Sequence, residues 1–353
     1  MEDYNPYQDL QRLLLHQEPA RTPVVLWYTR SSLGLQGGAK RLLDYYQNPE
    51  IKLETQLFPL KRFPEALVFP GIYPDYGVAL EASAFGSPVR FFEDNPPQAL
   101  PFLRDLRETA DLRPIDPGRD GLMPQALKEY SYMLAHLDRA YVKRFPYLDG
   151  CAWVMGPLEV ADFIVGPERL FVGFYDFPQV VHRLLTRVTE GLIAWLKALE
   201  GVCGELKLIC MVEHTPGQIS AGHSEEFFVP YAREVFRSFP KAIRLYHNED
   251  HLQHAMRLLP RLEAQIWHCG PWDLREMKAA VEKEMTLMGN IHPLKTLLQG
   301  TPDEVEEACR ASLEIGAPGG GFLLSSAGGL APDTPLANVE AMIRTAASFA
   351  RRS

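Results

Sequence analysis

Short apolar runs recur along the chain, and helical patterns separate most of them. We predict eight strands from these runs: Pro23–Trp27, Ala66–Ile72, Cys151–Gly156, Leu206–Val212, Ala242–Tyr246, Ala264–Trp267, Met285–Gly289 and Gly320–Leu324. Apolar runs of this length that alternate with helices are typical of parallel strands in βαβ units. Eight such units predict an α/β fold, a closed (β/α)8 TIM barrel, whose reactive groups gather at the carboxyl ends of the strands.

Helix signals between the runs support this reading. Thr301, Pro302 and Glu304 provide a cap, a first-turn proline and a capping-box acid, and Gly316 is placed to end that helix. The segment from Val180 to Leu199 puts valines and leucines on one face, as a helix that covers a barrel should.

One stretch between the predicted second and third strands departs from this pattern. From about Asp94 to Asp120 it holds many prolines and shows no strand pattern. Long connections without regular structure are usually functional or linkers, so we predict an extended loop over the barrel mouth. A chain of 353 residues suits one barrel with insertions. We therefore predict a single domain over residues 1–353, with residues 1–20 as an N-terminal helical extension.

Bulk composition narrows the class of protein. Hydrophobic residues at 46% and charged residues at 23% are ordinary globular values. A net charge of -9 and the lack of Lys/Arg-rich runs argue against a nucleic-acid partner. No apolar run reaches the length of a membrane span, and the acidic, amphipathic N-terminus does not resemble a signal peptide. Five widely spaced cysteines without a CxxC pair are typical of reduced thiols, so we expect a cytoplasmic protein.

The ends of the predicted strands carry the candidate chemistry. The polar residues there are Arg30, Asp75, Glu159, Glu213, His214, His247, Glu249, Asp250, His268, Cys269, Asn290, His292, Ser325 and Ser326. Aromatic residues near the same ends could line an apolar substrate pocket: Trp27, Tyr28, Tyr73, Tyr76, Trp153, Trp267 and Trp272. No other part of the sequence concentrates ionisable groups in this way.

Three of these positions each allow two interpretations. An imidazole beside carboxylates, as at His247, binds zinc or donates a proton, whereas Glu249 could simply cap a following helix. Glu213 could accept a proton or complete a metal site, or form an ion pair at the barrel rim. Cys269 is either a metal thiolate or an inert buried thiol.

Several segments, in this order, resemble the uroporphyrinogen decarboxylase superfamily. They are RTPVVLW at Arg21, YYQNPEIKLETQLFPLKRF ending at Phe63, FVPYAREV at Phe228, LMGNIHPLKTLLQGTPDEVEEA at Leu287 and GGGFLLSSAGGLAPDTPLANVEAMI at Gly319. The last two are the most specific. The resemblance implies a (β/α)8 barrel, which agrees with the strand count reached from the apolar runs.

The decarboxylases of this superfamily read RTPVWxMRQAGR at the first strand, where arginines hold substrate carboxylates. Here RTPVVLWYTRSSLG puts Tyr28 and Ser32 at those positions, and Arg30 is displaced by two residues. The aspartate after the second strand corresponds to Gly71, and the late histidine to Gly328. Without the arginines, a substrate with eight carboxylates would leave buried anions unpaired, so tetrapyrrole decarboxylation is disfavoured.

The second branch comprises corrinoid-dependent methyltransferases. In its coenzyme M enzymes an H-x-C motif after the fifth strand and a late cysteine bind zinc, and this chain has His247-Asn248-Glu249 and Gly328 there. The O-demethylase subgroup, with an H-x-D-like segment and GGG.LLSS, is more similar. The resemblance implies a methyltransferase that moves a methyl group between a small methylated substrate and a corrinoid. A separate protein would carry the corrinoid, since the chain shows no corrinoid motif of its own.

The site prediction follows from this resemblance together with the strand-end positions. We predict that His247, Glu213, Glu249 and His268 are catalytic and converge on one cavity. The predicted substrate-binding residues are Arg30, Tyr28, Tyr73, Asp75, Trp153, His214, Asn248 and Ser326. Any zinc would rest on His247, on Glu249 or Glu213, and on Cys269, and would bind weakly because thiolates are replaced. A decarboxylase, a non-catalytic binding barrel and a homodimer remain open alternatives.

Overall fold

A sheet of eight parallel strands forms the centre of the computed structural model, which describes residues 4–29, 41–281 and 283–349. Its strands are β1 (Val24–Trp27), β2 (Leu67–Phe69), β5 (Cys151–Met155), β6 (Leu208–Val212), β7 (Ile243–Asn248), β8 (Ile266–Cys269), β9 (Thr286–Ile291) and β10 (Phe322–Ser326). Their order is β2-β1-β10-β9-β8-β7-β6-β5. A short antiparallel hairpin is formed by β3 (Val89–Arg90) and β4 (Gln98–Ala99). The α/β class is confirmed, and the curled sheet is consistent with a TIM barrel.

Helices separate the strands and cover the sheet. The α-helices are α1 (Pro6–Leu14), α2 (Leu42–Gln47), α3 (Pro49–Arg62), α4 (Leu80–Phe85), α5 (Met123–His136), α6 (Arg139–Arg144), α7 (Pro157–Val165), α8 (Pro167–Asp176), α9 (Pro178–Cys203), α10 (Ala221–His223), α11 (Val229–Arg237), α12 (Leu274–Val281), α13 (Pro302–Gly316) and α14 (Leu336–Ser348). The capping box predicted at Thr301 and Glu304 opens α13, and the predicted apolar face of α9 is buried. Within the described residues, no helix is long and apolar enough to cross a membrane.

Each predicted run contains one observed strand, but four strands run further than predicted. The strands β7, β8, β9 and β10 each extend two residues beyond the predicted ends. His247, Asn248, His268 and Cys269 therefore lie inside strands. Because successive side chains of a strand point to opposite faces, neighbours in these pairs cannot both face the same cavity.

The sheet has a seam between β2 and β5, because no backbone pairing joins these two strands. Side chains close it instead. The hydroxyl of Tyr147 accepts a hydrogen bond from the backbone N–H of Val68 and donates one to its carbonyl, both at 3.1 Å. Tyr130 donates to the Cys151 carbonyl at 3.0 Å. These side chains thus satisfy backbone groups of Val68 and Cys151 that no strand ladder reaches at the seam.

The sequence predicted no strand in the Pro-rich stretch between β2 and β5, but the structure has one there. This stretch contains β4 and a 3-10 helix at Leu106–Asp111. The backbone N–H of Phe102 donates to the Ile164 carbonyl of α7 at 3.1 Å, and Leu106 lies against Gly173 of α8. Much of this segment therefore packs on helices of the outer ring.

An ion pair is buried between α3 and α5. The Lys52 ammonium lies 2.5 Å from a Glu129 carboxylate oxygen, and both side chains are almost completely buried. The Tyr76 hydroxyl and the Gln125 amide donate to the other oxygen of Glu129. Burial lowers the pKa of Lys52, and Glu129 partly offsets this effect.

Glu81 of α4 is a buried carboxyl close to the seam. One oxygen accepts the backbone N–H of Met155 at 3.2 Å, while the other has no hydrogen-bond partner in the part of the chain that the structure describes. Burial is the main cause that raises its pKa from 4.5 to about 8. Since the ionised form is disfavoured inside the protein, Glu81 is largely protonated near neutral pH.

We expect the contribution of Glu81 to stability to depend on pH. Its folded pKa is raised, so this contribution is fully present below pH 4.5 and is lost as the pH rises through about 8. Between pH 5 and 7.5, wild type should lose about 3 kcal/mol relative to Glu81→Gln. Urea unfolding of both proteins at the two pH values measures this difference. Equal pH dependence in the two proteins would contradict the expectation.

Candidate active site

A chain of two histidines and a carboxylate connects β7 and β8. His247 Nδ1 lies 2.8 Å from His268 Nδ1, and His247 Nε2 lies 2.7 Å from a carboxylate oxygen of Glu249. The two residues are opposite each other in the parallel register of β7 and β8. On the far side, His268 Nε2 is 2.9 Å from the Ser326 carbonyl oxygen. Of the four residues predicted to converge on one cavity, His247, Glu249 and His268 thus lie in contact in one chain.

An aromatic row continues from this chain. The ring of Trp27 stacks on His247 with a centroid distance of 4.8 Å and contacts His268 at 4.6 Å. Trp153 lies next to Trp27 at 5.5 Å, and Tyr73 stacks on Trp153 at 5.7 Å. The row forms an apolar wall beside the polar groups, as a site for a small organic substrate needs.

His214 joins His247 and Glu249 in one cluster. One ligand atom from each of these three residues lies within 4.8 Å of the others, so the three could hold a metal ion. The ring of His214 meets His247 edge-on at 5.4 Å. Its Nδ1 is 3.6 Å from Glu159, whose carboxylate also accepts the backbone N–H groups of His214 and Thr215. Two imidazoles and a carboxylate are a donor set that suits zinc and similar divalent ions.

Glycine at position 328 makes room for the Glu249 carboxylate. A Cβ at Gly328 would lie 2.6 Å from Glu249 Oε2 and 2.8 Å from its carboxyl carbon. Gly328 also has a φ of +92°, which disfavours any residue with a side chain. The Glu249 carboxylate therefore occupies the space that a side chain at position 328 would use.

Burial and neighbouring charges set the protonation states in this cluster. Burial lowers the pKa of His247, and Glu249 only partly offsets this. Burial, together with His247, lowers the pKa of His268 to about 3. Burial disfavours the charge of Glu249, but the histidines outweigh it and hold the pKa at about 2. Burial also opposes the charged ring of His214, but Glu159 outweighs it, so the pKa is raised. The site thus combines neutral His247 and His268 with an ionised carboxylate.

The structure does not bring the carboxylate of Glu213 into this cluster. Its two oxygens accept the backbone N–H groups of Leu158 and Glu159 at 3.0 and 2.7 Å. It therefore caps the start of α7, where free N–H groups favour a negative charge. A Cβ at Gly156 would lie 2.1 Å from Glu213, so the glycine permits this close approach. Burial, followed by the charge of Glu159, raises the pKa of Glu213.

Two further predictions are corrected by the alternation of strand side chains. Asn248 shares a face with Tyr246, donates to its hydroxyl at 3.1 Å and so points away from His247. Cys269 follows His268, and its thiol donates to the Met288 carbonyl at 3.3 Å. Burial raises the pKa of this thiol to about 12, which keeps it protonated. Cys269 is therefore not placed to complete a metal site, and His214 takes that position.

The remaining predicted substrate-binding residues differ in how they are placed. Asp75 is buried and accepts hydrogen bonds from Tyr45, Tyr73 and the Gly77 backbone. Ser326 donates its hydroxyl to the Gly328 carbonyl. Among the described residues, the buried Tyr28 hydroxyl and Trp153 indole N–H have no hydrogen-bond partner, so both could serve a ligand. Arg30 lies outside the described residues.

Fold and site together define an α/β protein with a curled sheet of eight parallel strands and a polar site at the carboxyl ends of those strands. A family model described as Uroporphyrinogen decarboxylase (URO-D) matches residues 5–349. The chain therefore belongs to the URO-D family, as its motifs had indicated.

The relatives of this chain are enzymes of two kinds. It is 22% identical to a methylcobamide:CoM methyltransferase, MtbA, of Methanosarcina acetivorans, over 99% of both chains. It is 24% identical to a uroporphyrinogen decarboxylase of Methylobacillus flagellatus, over 87% of this chain and 85% of the relative. A solved methyltransferase from Methanosarcina mazei shares the fold, with a TM-score of 0.78 and 17% identity, over 98% of this chain and 99% of that one.

Proposed function

We propose that this protein is a methyltransferase that moves a methyl group between a small methylated substrate and a corrinoid carried by a separate protein. The observation that carries the proposal is the cluster of His214, His247 and Glu249 beside an aromatic wall. His247 and Glu249 stand where the resemblance places the H-x-C zinc ligands of the methyltransferase branch. A methyltransferase relative is similar over 99% of this chain, which is compatible with the same choice, and decarboxylase relatives match 87–97% of it.

The geometry at position 71 weighs against the decarboxylase alternative. The decarboxylases of the superfamily have an aspartate there, whereas this chain has glycine with a φ of +91°. A Cβ at Gly71 would lie 2.6 Å from Cys151 Sγ and 3.3 Å from Leu148. An acidic side chain cannot enter without moving the seam between β2 and β5. The packing around Gly71 therefore leaves no room for the aspartate side chain of the decarboxylases.

The residues of the cluster fit a divalent metal ion. His214 and His247 would supply nitrogen ligands and Glu249 an oxygen, which leaves a further position for substrate. Such an ion would act as a Lewis acid on the atom that carries or receives the methyl group. Glu159 lies 3.6 Å from His214 Nδ1 and accepts the backbone N–H of His214, so it would hold this ring beside the cluster.

The aromatic row serves the transfer in a different way. Trp27, Trp153 and Tyr73 present ring faces that hold a small organic substrate and limit the access of water. The substrate sits between this wall and the strand ends. The corrinoid would approach from the open mouth of the barrel, since the chain shows no corrinoid-binding motif.

A direct assay tests this function. The purified protein with zinc is incubated anaerobically with cob(I)alamin and, in turn, methoxyarenes and N-methylamines, and methylcobalamin formation is followed by absorbance. We expect transfer from at least one donor at a rate about 100-fold or more above that of His247→Ala, because a metal ligand is lost. His251→Ala is the matched control, since His251 is exposed and stacks on Trp272 outside the cluster.

Two outcomes would contradict the proposal. Conversion of uroporphyrinogen to coproporphyrinogen at the rate of a biosynthetic enzyme would support the decarboxylase alternative. Binding of a methylated donor without any transfer, at wild-type metal occupancy, would support a barrel that binds small molecules without catalysis.

A further inference from the structure

The contact between His247 and His268 ties the protonation of one ring to that of the other. A neutral imidazole has one N–H donor and one bare nitrogen that accepts. The two rings meet Nδ1 to Nδ1 at 2.8 Å, so one of these nitrogens must donate and the other accept. Whether each ring carries a proton on Nε2 therefore depends on the tautomer of the other ring.

The outer end of the chain offers both a donor and an acceptor. His268 Nε2 lies 2.9 Å from the Ser326 carbonyl, which can only accept, and 3.3 Å from the Gly328 backbone N–H, which can only donate. A protonated Nε2 bonds to Ser326, and a bare Nε2 accepts from Gly328. Two complete arrangements of protons follow from this choice.

In the first arrangement, Gly328 donates to His268 Nε2. His268 then carries its proton on Nδ1 and donates it to His247 Nδ1. His247 carries its own proton on Nε2, which faces Glu249 Oε2 2.7 Å away, although this contact lacks the direction of a hydrogen bond. Both contacts of His268 then join a donor to an acceptor, and the Nε2–H of His247 lies against a negative charge.

In the second arrangement, His268 donates from Nε2 to the Ser326 carbonyl. His268 Nδ1 is then bare and accepts the proton of His247 Nδ1, which leaves His247 Nε2 bare. This nitrogen and the Glu249 oxygen are two acceptors only 2.7 Å apart. They repel each other unless a cation lies against both, so this arrangement suits a bound metal ion.

We propose that His268 is a positioning residue that switches His247 Nε2 between a proton donor and a metal ligand. His247 Nε2 would have to be bare to hold a divalent ion, so its proton would pass to solvent. The shared proton would then lie on His247 Nδ1 instead of His268 Nδ1. His268 Nε2 would take up a proton from solvent and donate it to the Ser326 carbonyl, 2.9 Å away, so the pair keeps two protons. This inference rests on the proposed function only in taking His247 Nε2 as a ligand atom.

Nitrogen NMR of the full chain labelled with 15N-histidine tests the switch. The signals of the two rings are assigned by their absence from His247→Ala and from His268→Asn. Without metal we expect His247 protonated on Nε2 and His268 on Nδ1. Titration with Zn²⁺ should move the proton of His247 to Nδ1 and that of His268 to Nε2, at the same zinc ratio.

Two variants separate positioning from packing. His268→Asn keeps an amide near the position of Nδ1 that can donate or accept, whereas His268→Phe keeps a ring against Trp27 but has no nitrogen. We expect the Phe variant to lose the single tautomer of His247 and to bind zinc about 10–100-fold more weakly in chelator competition. The Asn variant should restore both to near wild type.

The outcomes of these experiments distinguish failure of the histidine switch from failure of the proposed methyltransferase function. Zinc that fails to bind, or that binds while His268 keeps its tautomer, overturns the switch. Equal behaviour of the Asn and Phe variants also overturns it, because packing alone would then explain the role of His268. Exchange of both tautomers without methyl transfer from any donor supports the switch and contradicts the proposed function alone.

Discussion

A His247→Ala variant should bind divalent metal much more weakly than the wild-type protein. His247 is the residue of the cluster that contacts both Glu249 and His268, so its removal deletes a ligand and disconnects the carboxylate. We expect zinc affinity to fall at least about 100-fold, because loss of an outer-sphere partner alone costs about 10–100-fold. Zinc content after equilibrium with a competing chelator measures the effect.

The wild-type site should itself release zinc to strong chelators. It offers no thiolate, because Cys269 faces Met288 and position 328 is glycine, and each missing Zn–S bond removes a charge-donating ligand. His214→Ala should weaken binding in the same direction, whereas His251→Ala should leave it unchanged. Tightly held zinc in His247→Ala would show that the metal lies elsewhere.

Lys52→Met should be the most destabilising single change away from the site. It leaves the Glu129 carboxylate buried without its cation, and removal of one partner of a buried ion pair costs about 3–5 kcal/mol. The free energy of unfolding in urea, compared with wild type at pH 7, measures the loss.

A double variant provides the matched control. Lys52→Met with Glu129→Gln removes both charges but keeps an amide that Tyr76 and Gln125 can still contact. We expect it to recover more than half of the stability that Lys52→Met loses, since no buried charge is left unpaired. A double variant as unstable as the single one would mean that lost packing, rather than the charge, causes the effect.

The architecture could be predicted from the sequence because buried parallel strands are short apolar runs between helices. The start and end of α13 were also readable, since Thr301, Glu304 and Gly316 act through their nearest neighbours. The predicted ends of β7 to β10 lie two residues before the observed ends, because the polar residues that follow the apolar runs are typical of loops. In the structure these polar residues still form parallel pairs, as His247 does with His268.

The site was harder to predict because adjacent residues contact different neighbours. Both members of Glu213–His214, His247–Asn248 and His268–Cys269 were predicted to share the site, whereas the structure places only His214 and His247 in the cluster and His268 beside it. In β7 and β8 the alternation of strand side chains separates the two members, whereas Glu213 and His214 follow the end of β6 at Val212. Alternation itself could have signalled this, but it does not tell which member faces inward. That choice depends on distant partners, such as the start of α7 for Glu213. Lys52 and Glu129 gave no signal, because their pairing joins helices 77 positions apart.

The space shared by Gly328 and Glu249 sets where the carboxylate can lie. A Cβ at 328 would lie 2.6 Å from Glu249 Oε2, which is the free end of a flexible side chain. A residue with a side chain at 328 would therefore displace this carboxylate from its place 2.7 Å from His247 Nε2. Glycine at 328 thus governs the aim of a carboxylate that it never touches with a side chain of its own.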